Sequence, residues 1–279
     1  MLKRVYVEIT NVCNLRCSFC PGTRRRGQFM SPADFRRAAE RLRGYTNYLY
    51  LHVMGEPLLH PALGEILAAA GELGFRVCIT TNGTLLPQCG DMLLSSPALH
   101  KVSVSLHAME GNGREELGEY LDAVWSFARR ASAQDVICAL RLWNMGGEDR
   151  RNGEILDFLA RQVGAWPLDL PQPRDGSWRL GSRLFLEQAE KFDWPDLTAP
   201  ETDTRFCLAL RDQAAVLVDG TVVPCCLDHE GDIPLGNIFS ADFGEILASP
   251  RARAIYDGFS RGQPPEELCR RCGFARRFG

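Results

Sequence analysis

Three cysteines near the start of the chain constrain its fold and chemistry more than any other feature. Cys13, Cys17 and Cys20 directly follow an apolar run at residues 5–9 that predicts a β-strand. Their spacing, in a loop with Asn and Ser, allows all three thiols to face one centre. A zinc knuckle or a disulfide pair needs two or four cysteines, whereas three soft thiolates suit an iron–sulfur cluster with one iron left open. We therefore predict an open metal site.

The remaining cysteines and the composition indicate the compartment. The sequence begins without the apolar core of a signal peptide and has no apolar run long enough to span a membrane, so we expect a cytoplasmic protein. Thiols stay reduced there, which favours metal binding over disulfides for the 11 cysteines. A formal net charge of -3 with 24% charged residues favours neither a nucleic-acid nor a membrane partner. We interpret the isolated Cys78, Cys89 and Cys138 as core residues.

The first 170 residues alternate strand and helix patterns. Strands are predicted at 4–9, 48–53, 76–80, 102–106 and 136–142, and helices at 32–42, 61–73, 88–95, 114–130 and 152–163. Such alternation predicts parallel strands joined by helical crossovers, either as an open doubly wound sheet or as part of a TIM-like barrel. In both folds ligands bind at the carboxyl ends of the strands.

The rest of the chain has a different character. A further strand is possible at 166–170, and the Pro- and Gly-rich residues 171–206 predict a connecting region packed on the body. Apolar runs on both sides of Asp219 and Gly220 predict a β-hairpin with a type I′ turn, and a helix is expected at 241–259. We therefore divide the chain into domains at 1–170 and 207–279, joined by 171–206.

The first cysteine motif, C-x3-C-x-aromatic-C after a first strand, resembles that of the radical S-adenosylmethionine (SAM) superfamily. The resemblance implies that Cys13, Cys17 and Cys20 hold a [4Fe–4S] cluster whose fourth iron binds SAM. It also implies reductive cleavage of SAM to a 5′-deoxyadenosyl radical, with an electron donor such as flavodoxin or ferredoxin. The fold expected from it is an α/β partial (β/α)6 TIM-like barrel with a small cysteine-rich C-terminal domain. A zinc site is the alternative for this triad.

The same resemblance suggests residues that contact SAM. Phe19 matches the aromatic residue near the adenine, and Glu56, in Met54-Gly55-Glu56-Pro57 after strand two, matches the carboxylate that binds the SAM ammonium. Asn82 matches the Thr-Asn-Gly that follows strand three, although it is equally explained as a turn residue.

Strands four and five add further candidates. Ser105, with Ser103 as the second choice, matches a serine that binds the ribose or carboxylate of SAM. Arg141 matches an arginine that pairs with the SAM carboxylate, and a position on the barrel exterior is its alternative. Alternation along strand four places His107 on the face of these serines, where it either assists proton transfer or binds a loop.

The tail resembles a Twitch domain, the shortened relative of the SPASM domain. Cys207 is followed by Gly220 and Cys225 at the spacing of that motif, and Cys269 and Cys272 supply a later pair. The resemblance implies a fully ligated auxiliary [4Fe–4S] cluster, with a structural zinc site as the alternative. Cys226, whose side chain points opposite to that of Cys225, is expected beside the cluster or in the core.

Three functions are compatible with this sequence. The first is a dehydrogenase of a small molecule such as a sugar or cyclitol, which abstracts a substrate hydrogen and passes an electron to the auxiliary cluster. The sequence starts directly at strand one, without a peptide-recognition domain, and this favours the first function. The second is a peptide- or protein-modifying enzyme that forms a thioether or another crosslink. The third, a non-catalytic metal-stabilised binding module, leaves Glu56 and Ser105 without a role.

Overall fold

The computed structural model describes residues 1–113 and 116–278, and its core is one ten-stranded sheet. The strands are β1 (Arg4–Val7), β2 (Tyr48–Tyr50), β3 (Arg76–Thr81), β4 (Leu99–Ser105), β5 (Ile137–Met145), β6 (Ser177–Arg179), β7 (Leu184–Glu190), β8 (Gln213–Val216), β9 (Thr221–Val223) and β10 (Gly236–Asn237). The helices are α1 (Pro32–Leu42), α2 (Leu63–Glu72), α3 (Leu86–Leu94), α4 (Gly118–Ala133), α5 (Asn152–Val163), α6 (Phe243–Leu247), α7 (Pro250–Ser260) and α8 (Glu267–Arg270).

The strand order is β10-β9-β8-β1-β2-β3-β4-β5-β7-β6. The strands from β8 through β1 to β5 and β7 run parallel to their neighbours, while β6, β9 and β10 pair antiparallel at the two ends. Seven strands, β1 to β5, β7 and β8, form this parallel part, and no strand pair closes the sheet into a full barrel in the described part of the chain. The predicted partial α/β barrel is confirmed.

The two faces of the sheet differ in burial. On the outer face, beneath the helices, Leu49, Val77, Val102 and Leu140 are at most 1% exposed. The opposite side, which we call the inner face, presents mainly polar side chains, and several are half-buried. It includes Tyr6, Tyr50, His52, Thr80, Lys101, Ser103, Ser105, Arg141, Trp143 and Glu187. A polar, partly open inner face is suited to binding a ligand.

The sixth parallel strand lies where the sequence predicts a connecting region. Residues 184–190 form β7 and pair with β5, and β6 adds a short antiparallel partner. The strand predicted at 166–170 is wrong, because Pro167–Asp169 form a 3-10 helix that starts at Pro167. The left-handed Gly164 ends α5 immediately before it.

Three local predictions in the helices and the tail need correction or remain open. The hairpin at β8 and β9 is confirmed, but its turn is not type I′. Only Gly220, and not Asp219, has a positive φ, and its N–H donates to the carbonyl of Leu217. The predicted helix at 241–259 is two helices, because Ser249 caps a new helix beginning at Pro250. The predicted start of α4 at residue 114 lies outside the described residues. Among the helices described, none has the length and apolar character needed to cross a bilayer.

Candidate active site

The segment that leads into Cys13 packs against the turn that follows β2. The N–H of Glu56 donates to the carbonyl of Val12 at 2.8 Å, and Gly55 has φ of 77°. A Cβ atom on Gly55 would lie 2.6 Å from the carbonyl oxygen of Thr10, closer than real Cβ contacts allow. Only glycine therefore lets the end of β2 approach the segment that leads into Cys13.

A buried ion pair ties the same loop to three strand ends. Both oxygens of Glu8, which is 0% exposed, accept hydrogen bonds of 2.7 Å from the guanidinium of Arg25. The N–H groups of Met54, after β2, and Val218, after β8, donate to the same carboxylate at 3.1 and 3.0 Å. We call this arrangement the Glu8 clasp, and it fixes the loop to β1, β2 and β8.

The segment after β4 holds the other side of the loop. Asn112 donates from its amide to the sulfur of Cys17 at 3.0 Å and accepts from the N–H of Arg16 at 2.7 Å. A Cβ on Gly111 would lie 2.6 Å from the ring of Phe19, which packs 4.7 Å from the ring of His107. The sequence reasoning missed Gly111 and Asn112; their Gly-Asn-Gly turn at the end of β4 was the available signal.

The three cysteine thiols lie together and are partly accessible. Burial, followed by the charges of Cys20 and Cys13, raises the pKa of Cys17 to about 11, and the hydrogen bond from Asn112 acts in the opposite direction. Burial also raises the pKa of Cys13, and the negative charge of the Glu56 carboxylate raises it further. Three adjacent thiols that resist ionisation suit a positively charged iron cluster, which stabilises their thiolate forms.

Glu56 and Asn82 connect the loop with the ends of β2 and β3. One oxygen of Glu56 accepts from the N–H of Leu58 at 3.0 Å and the other from the N–H of Asn82 at 2.7 Å. The amide of Asn82 donates to Asn14 in the cysteine loop at 2.9 Å. Burial raises the pKa of Glu56, although these hydrogen bonds favour its charged form. A carboxylate has about four acceptor positions, so two remain on Glu56 beside these hydrogen bonds, on a residue that is 2% exposed.

The candidates on β4 and β5 lie side by side on the inner face. Ser105 is the register partner of Arg141, and Ser103 lies one layer lower beside Thr80. Arg141 donates to Glu187 at 3.2 Å and to Thr80 at 3.3 Å, so its alternative position on the barrel exterior is excluded.

Two neighbouring side chains have structural partners. His107 does not continue the face of the serines, because a 3-10 helix begins at Leu106. Its Nδ1 lies 3.1 Å from the carbonyl of Arg141, and burial lowers its pKa to about 4. Asn144 is paired with Asn152 of α5 at 3.0 Å, away from the inner face. The contact of His107 with the β5 backbone and the packing of its ring on Phe19 of the cysteine loop favour a structural role for this histidine.

The four tail cysteines, Cys207, Cys225, Cys269 and Cys272, line one largely apolar cavity. Burial raises the pKa of each, and the neighbouring thiolates raise that of Cys225 further. Four thiolates in an apolar cavity are unfavourable without a cationic partner, and soft sulfur ligands suit an iron–sulfur cluster. Cys226 packs instead against the group of side chains that contains Tyr6 of the inner face. Burial raises the pKa of the Tyr6 hydroxyl, and the nearby thiol of Cys226 raises it further.

Neither cysteine group has the geometry of a single-ion site. Within residues 1–113 and 116–278, no three Cys, His, Asp or Glu side chains are grouped tightly enough to be the ligands of one metal ion. Ligands of a single zinc ion lie about 2.0–2.3 Å from one point. Cysteines around a cluster bind separate irons and therefore lie further apart.

Comparison with protein families agrees with this geometry. The model of the radical SAM superfamily matches residues 7–159, which is more than half of the 279 residues, and the SPASM model, an iron–sulfur cluster-binding domain, matches residues 207–273. The chain therefore belongs to the radical SAM superfamily and has a C-terminal SPASM-type domain. Its cofactors are a SAM-binding [4Fe–4S] cluster, SAM and an auxiliary iron–sulfur centre.

Individual relatives are similar over part of the sequence or in fold. The GTP 3′,8-cyclase of Chlorobaculum tepidum is 33% identical over 110 residues, which cover 38% of this chain and 33% of that protein. The structure of BtrN in complex with AdoMet and 2-DOIA has a TM-score of 0.60 at 16% identity, covering 98% of this chain and 93% of BtrN. Streptococcus suis SuiB bound to its precursor peptide SuiA has a TM-score of 0.61 at 14% identity, covering 99% of this chain and 70% of SuiB.

Proposed function

We propose that this radical SAM enzyme oxidises a small molecule, such as a sugar or cyclitol, at a C–H bond: after hydrogen-atom abstraction the substrate radical would lose a proton to solvent and one electron to the auxiliary cluster. When SAM and its cluster are bound, they supply a 5′-deoxyadenosyl radical that removes a hydrogen atom from a substrate carbon. The chain's own residues hold these groups, position the substrate on the inner face and exclude water.

The observation that carries this proposal is the divergence of two adjacent cysteines. Cys225 lines the tail cavity, while Cys226 packs against the side chains around Tyr6 on the inner face. The ring of Tyr6 lies 5.0 Å from that of Tyr50 and 5.3 Å from that of His52. One residue therefore separates a ligand of the proposed electron acceptor from the surface on which the substrate would lie.

Within this function the loop residues have distinct roles. Cys13, Cys17 and Cys20 would bind the SAM cluster, with Asn112 hydrogen-bonded to one sulfur and Phe19 beside the adenine. Glu56 would accept hydrogen bonds from the SAM ammonium. Asn82, Ser105 and Ser103 would contact its polar groups, while Arg141, which the resemblance assigns to the SAM carboxylate, would bind an anionic group on the inner face. Cys207, Cys225, Cys269 and Cys272 would hold an auxiliary [4Fe–4S] cluster.

A peptide-modifying activity is the second candidate. It is favoured by the SPASM match at 207–273 and by the similar fold of SuiB, which has been captured with a precursor peptide. Incubation with candidate sugars and cyclitols, and separately with short peptides encoded beside this gene, separates the two. Loss of two mass units from a small molecule supports the first, and a crosslinked peptide supports the second.

The iron content and SAM cleavage of the anaerobically reconstituted protein test the core of the proposal. We expect about eight irons per chain, and about four when Cys269 and Cys272 are both replaced by Ser. Cys17→Ala should abolish release of 5′-deoxyadenosine with either dithionite or reduced flavodoxin. Cys89→Ala is the matched control, because this half-buried thiol belongs to neither group. SAM cleavage by the Cys17→Ala protein would falsify the assignment.

A further inference from the structure

One side of the inner face carries more positive than negative charge. Lys101 of β4 and Arg141 of β5 both pair with Glu187 of β7, at N–O distances of 3.1 and 3.2 Å. Arg174, in the segment before β6, reaches the same carboxylate at 2.5 Å. We call these four residues the cationic cluster. Three cations share one carboxylate, which leaves an excess of two positive charges in a chain whose formal net charge is -3.

The cluster also has more hydrogen-bond donors than acceptors. One oxygen of Glu187 accepts from both Lys101 and Arg174, and the other accepts from Arg141, which also donates to Thr80. A guanidinium offers five N–H donors and an ammonium three. Donors of Lys101 and Arg141 therefore remain without a protein acceptor in the part of the chain that the structure describes.

Burial makes this excess of charge costly. The side chains of Lys101 and Arg141 are 18% and 15% exposed, and that of Glu187 is 7% exposed. Burial lowers the pKa of Lys101, and the charges of Arg141 and Arg174 lower it further against the opposing effect of Glu187. The side chain of Arg174 is 66% exposed and solvated, so the buried excess is one cation: Lys101 and Arg141 share one carboxylate, and an anion that binds beside them would neutralise the remaining charge.

A second observation lies across the inner face, at the end of β2. The half-buried His52 has an Nδ1 atom that is shielded from solvent and has no hydrogen-bond partner. Burial, followed by the charge of Arg141, lowers its pKa to about 3. His52 therefore lies on the same inner face, within the field of Arg141, and its half-buried ring, not the shielded Nδ1, is the part that a ligand between the two could contact.

We propose that the cationic cluster binds an anionic group of the substrate, a phosphate or a carboxylate, with the rest of the molecule directed along the inner face toward His52. This inference rests on the proposed function, because it names the substrate class of the same site. Ser105, the register partner of Arg141, leads directly into the segment that contacts Cys17. A small molecule anchored at Arg141 therefore extends toward the strand ends that carry the cysteine triad.

Calorimetric titration of the reconstituted, SAM-saturated enzyme with inorganic phosphate, and separately with acetate, tests this site. Saturable binding of phosphate assigns a phosphorylated substrate, and preference for acetate assigns a carboxylate. Arg174→Gln, at a side chain that is 66% exposed, and Lys101→Met should each weaken binding about tenfold. Glu187→Gln should strengthen binding, because it removes the competing carboxylate. Arg183→Gln is the matched control, since this arginine pairs with Asp135 outside the cluster.

Several outcomes would overturn the inference: no saturable binding of either anion, weaker binding in Glu187→Gln with its circular dichroism unchanged, or an equal loss in Arg183→Gln. Anion binding that is seen only when SAM is left out of the titration would assign the cluster to the SAM carboxylate instead. Release of 5′-deoxyadenosine is measured on the same samples. SAM cleavage without anion binding contradicts this inference and leaves the proposed function standing. Anion binding without SAM cleavage contradicts the proposed function, while the anion site itself remains.

Discussion

Replacing Gly55 with alanine should lower both the stability of the protein and the iron content of the first cluster. This glycine lets the turn after β2 contact the segment that leads into Cys13. A methyl group there would lie 2.6 Å from the carbonyl oxygen of Thr10 and 2.8 Å from that of Val12. Both contacts are with backbone, so the segment leading into Cys13 must move. The matched control is Gly74→Ala, because Gly74 has a similar φ of 81° and no atom within 4 Å of its Cβ position.

Both substitutions place an alanine in the left-handed backbone region, but only Gly55→Ala adds a steric clash. A left-handed alanine costs about 1–2 kcal/mol, partly offset by about 0.4–1 kcal/mol from the less flexible unfolded chain. Gly74→Ala should therefore destabilise by about 1 kcal/mol. At Gly55 the steric clash adds about 1–3 kcal/mol. At about 2–4 °C per kcal/mol, the melting temperature should fall at least twice as far in Gly55→Ala as in the control.

Thermal unfolding followed by circular dichroism, together with iron analysis, checks this expectation. Gly55→Ala should also bind less iron at the first cluster, while Gly74→Ala binds as much as the parent protein. Equal losses of melting temperature and unchanged iron in both variants would refute the role given to the close contact between Gly55 and Thr10.

Three further perturbations test other contacts. Asn112→Ala removes a hydrogen bond that lowers the pKa of Cys17, so the first cluster should lose iron to a chelator faster than in Asn47→Ala, a change at an exposed asparagine. Iron loss at the same rate in both would contradict this role. Glu8→Gln leaves Arg25 buried without its charge partner and should cost about 3–5 kcal/mol in thermal unfolding. Lys3→Met, which breaks a pair whose lysine is 74% exposed, should cost at most about 1 kcal/mol, and similar costs would argue against the Glu8 clasp. Burial lowers the pKa of His107 from 6.5 to about 4, so the folded protein binds fewer protons than the unfolded chain between these values. Its contribution to stability is present above pH 6.5 and is lost as the pH falls toward 4. The melting temperature should therefore drop over this range, and less steeply in His107→Gln; identical slopes would contradict this.

Local patterns were sufficient for the first five strands. Their outer faces bury β-branched and leucine side chains under helices, and this appears in the sequence as short apolar runs between helical segments. The sixth strand escaped notice because only Leu184, Phe185 and Leu186 form an apolar run, which is followed by Glu187 and Gln188 and surrounded by Pro and Gly. The acid is tolerated within that strand because cations from distant segments surround it.

The same distinction between local patterns and long-range contacts applies to the residues of the site. Short spacings predict the cysteine triad and the tail pair, since nearby residues share a loop. The partners of Glu8 are Arg25, Met54 and Val218, and one of them is 210 residues away in the sequence. The orientation of Arg141 likewise depends on Glu187. Such contacts follow from the order of the strands, which local spacing does not contain.

The pairing of β8 with β1 has a consequence for how this protein can be dissected. Four register pairs join these strands, and Val218 beyond β8 completes the Glu8 clasp. A truncated chain that ends before Cys207 would leave β1 as an edge strand with unpaired backbone groups and would remove one donor from a fully buried carboxylate. The C-terminal segment that contains the tail cysteines thus stabilises β1, the strand that precedes the cysteine loop. The part of the chain that holds the cysteine triad and the SPASM-type domain are therefore best studied in one intact chain.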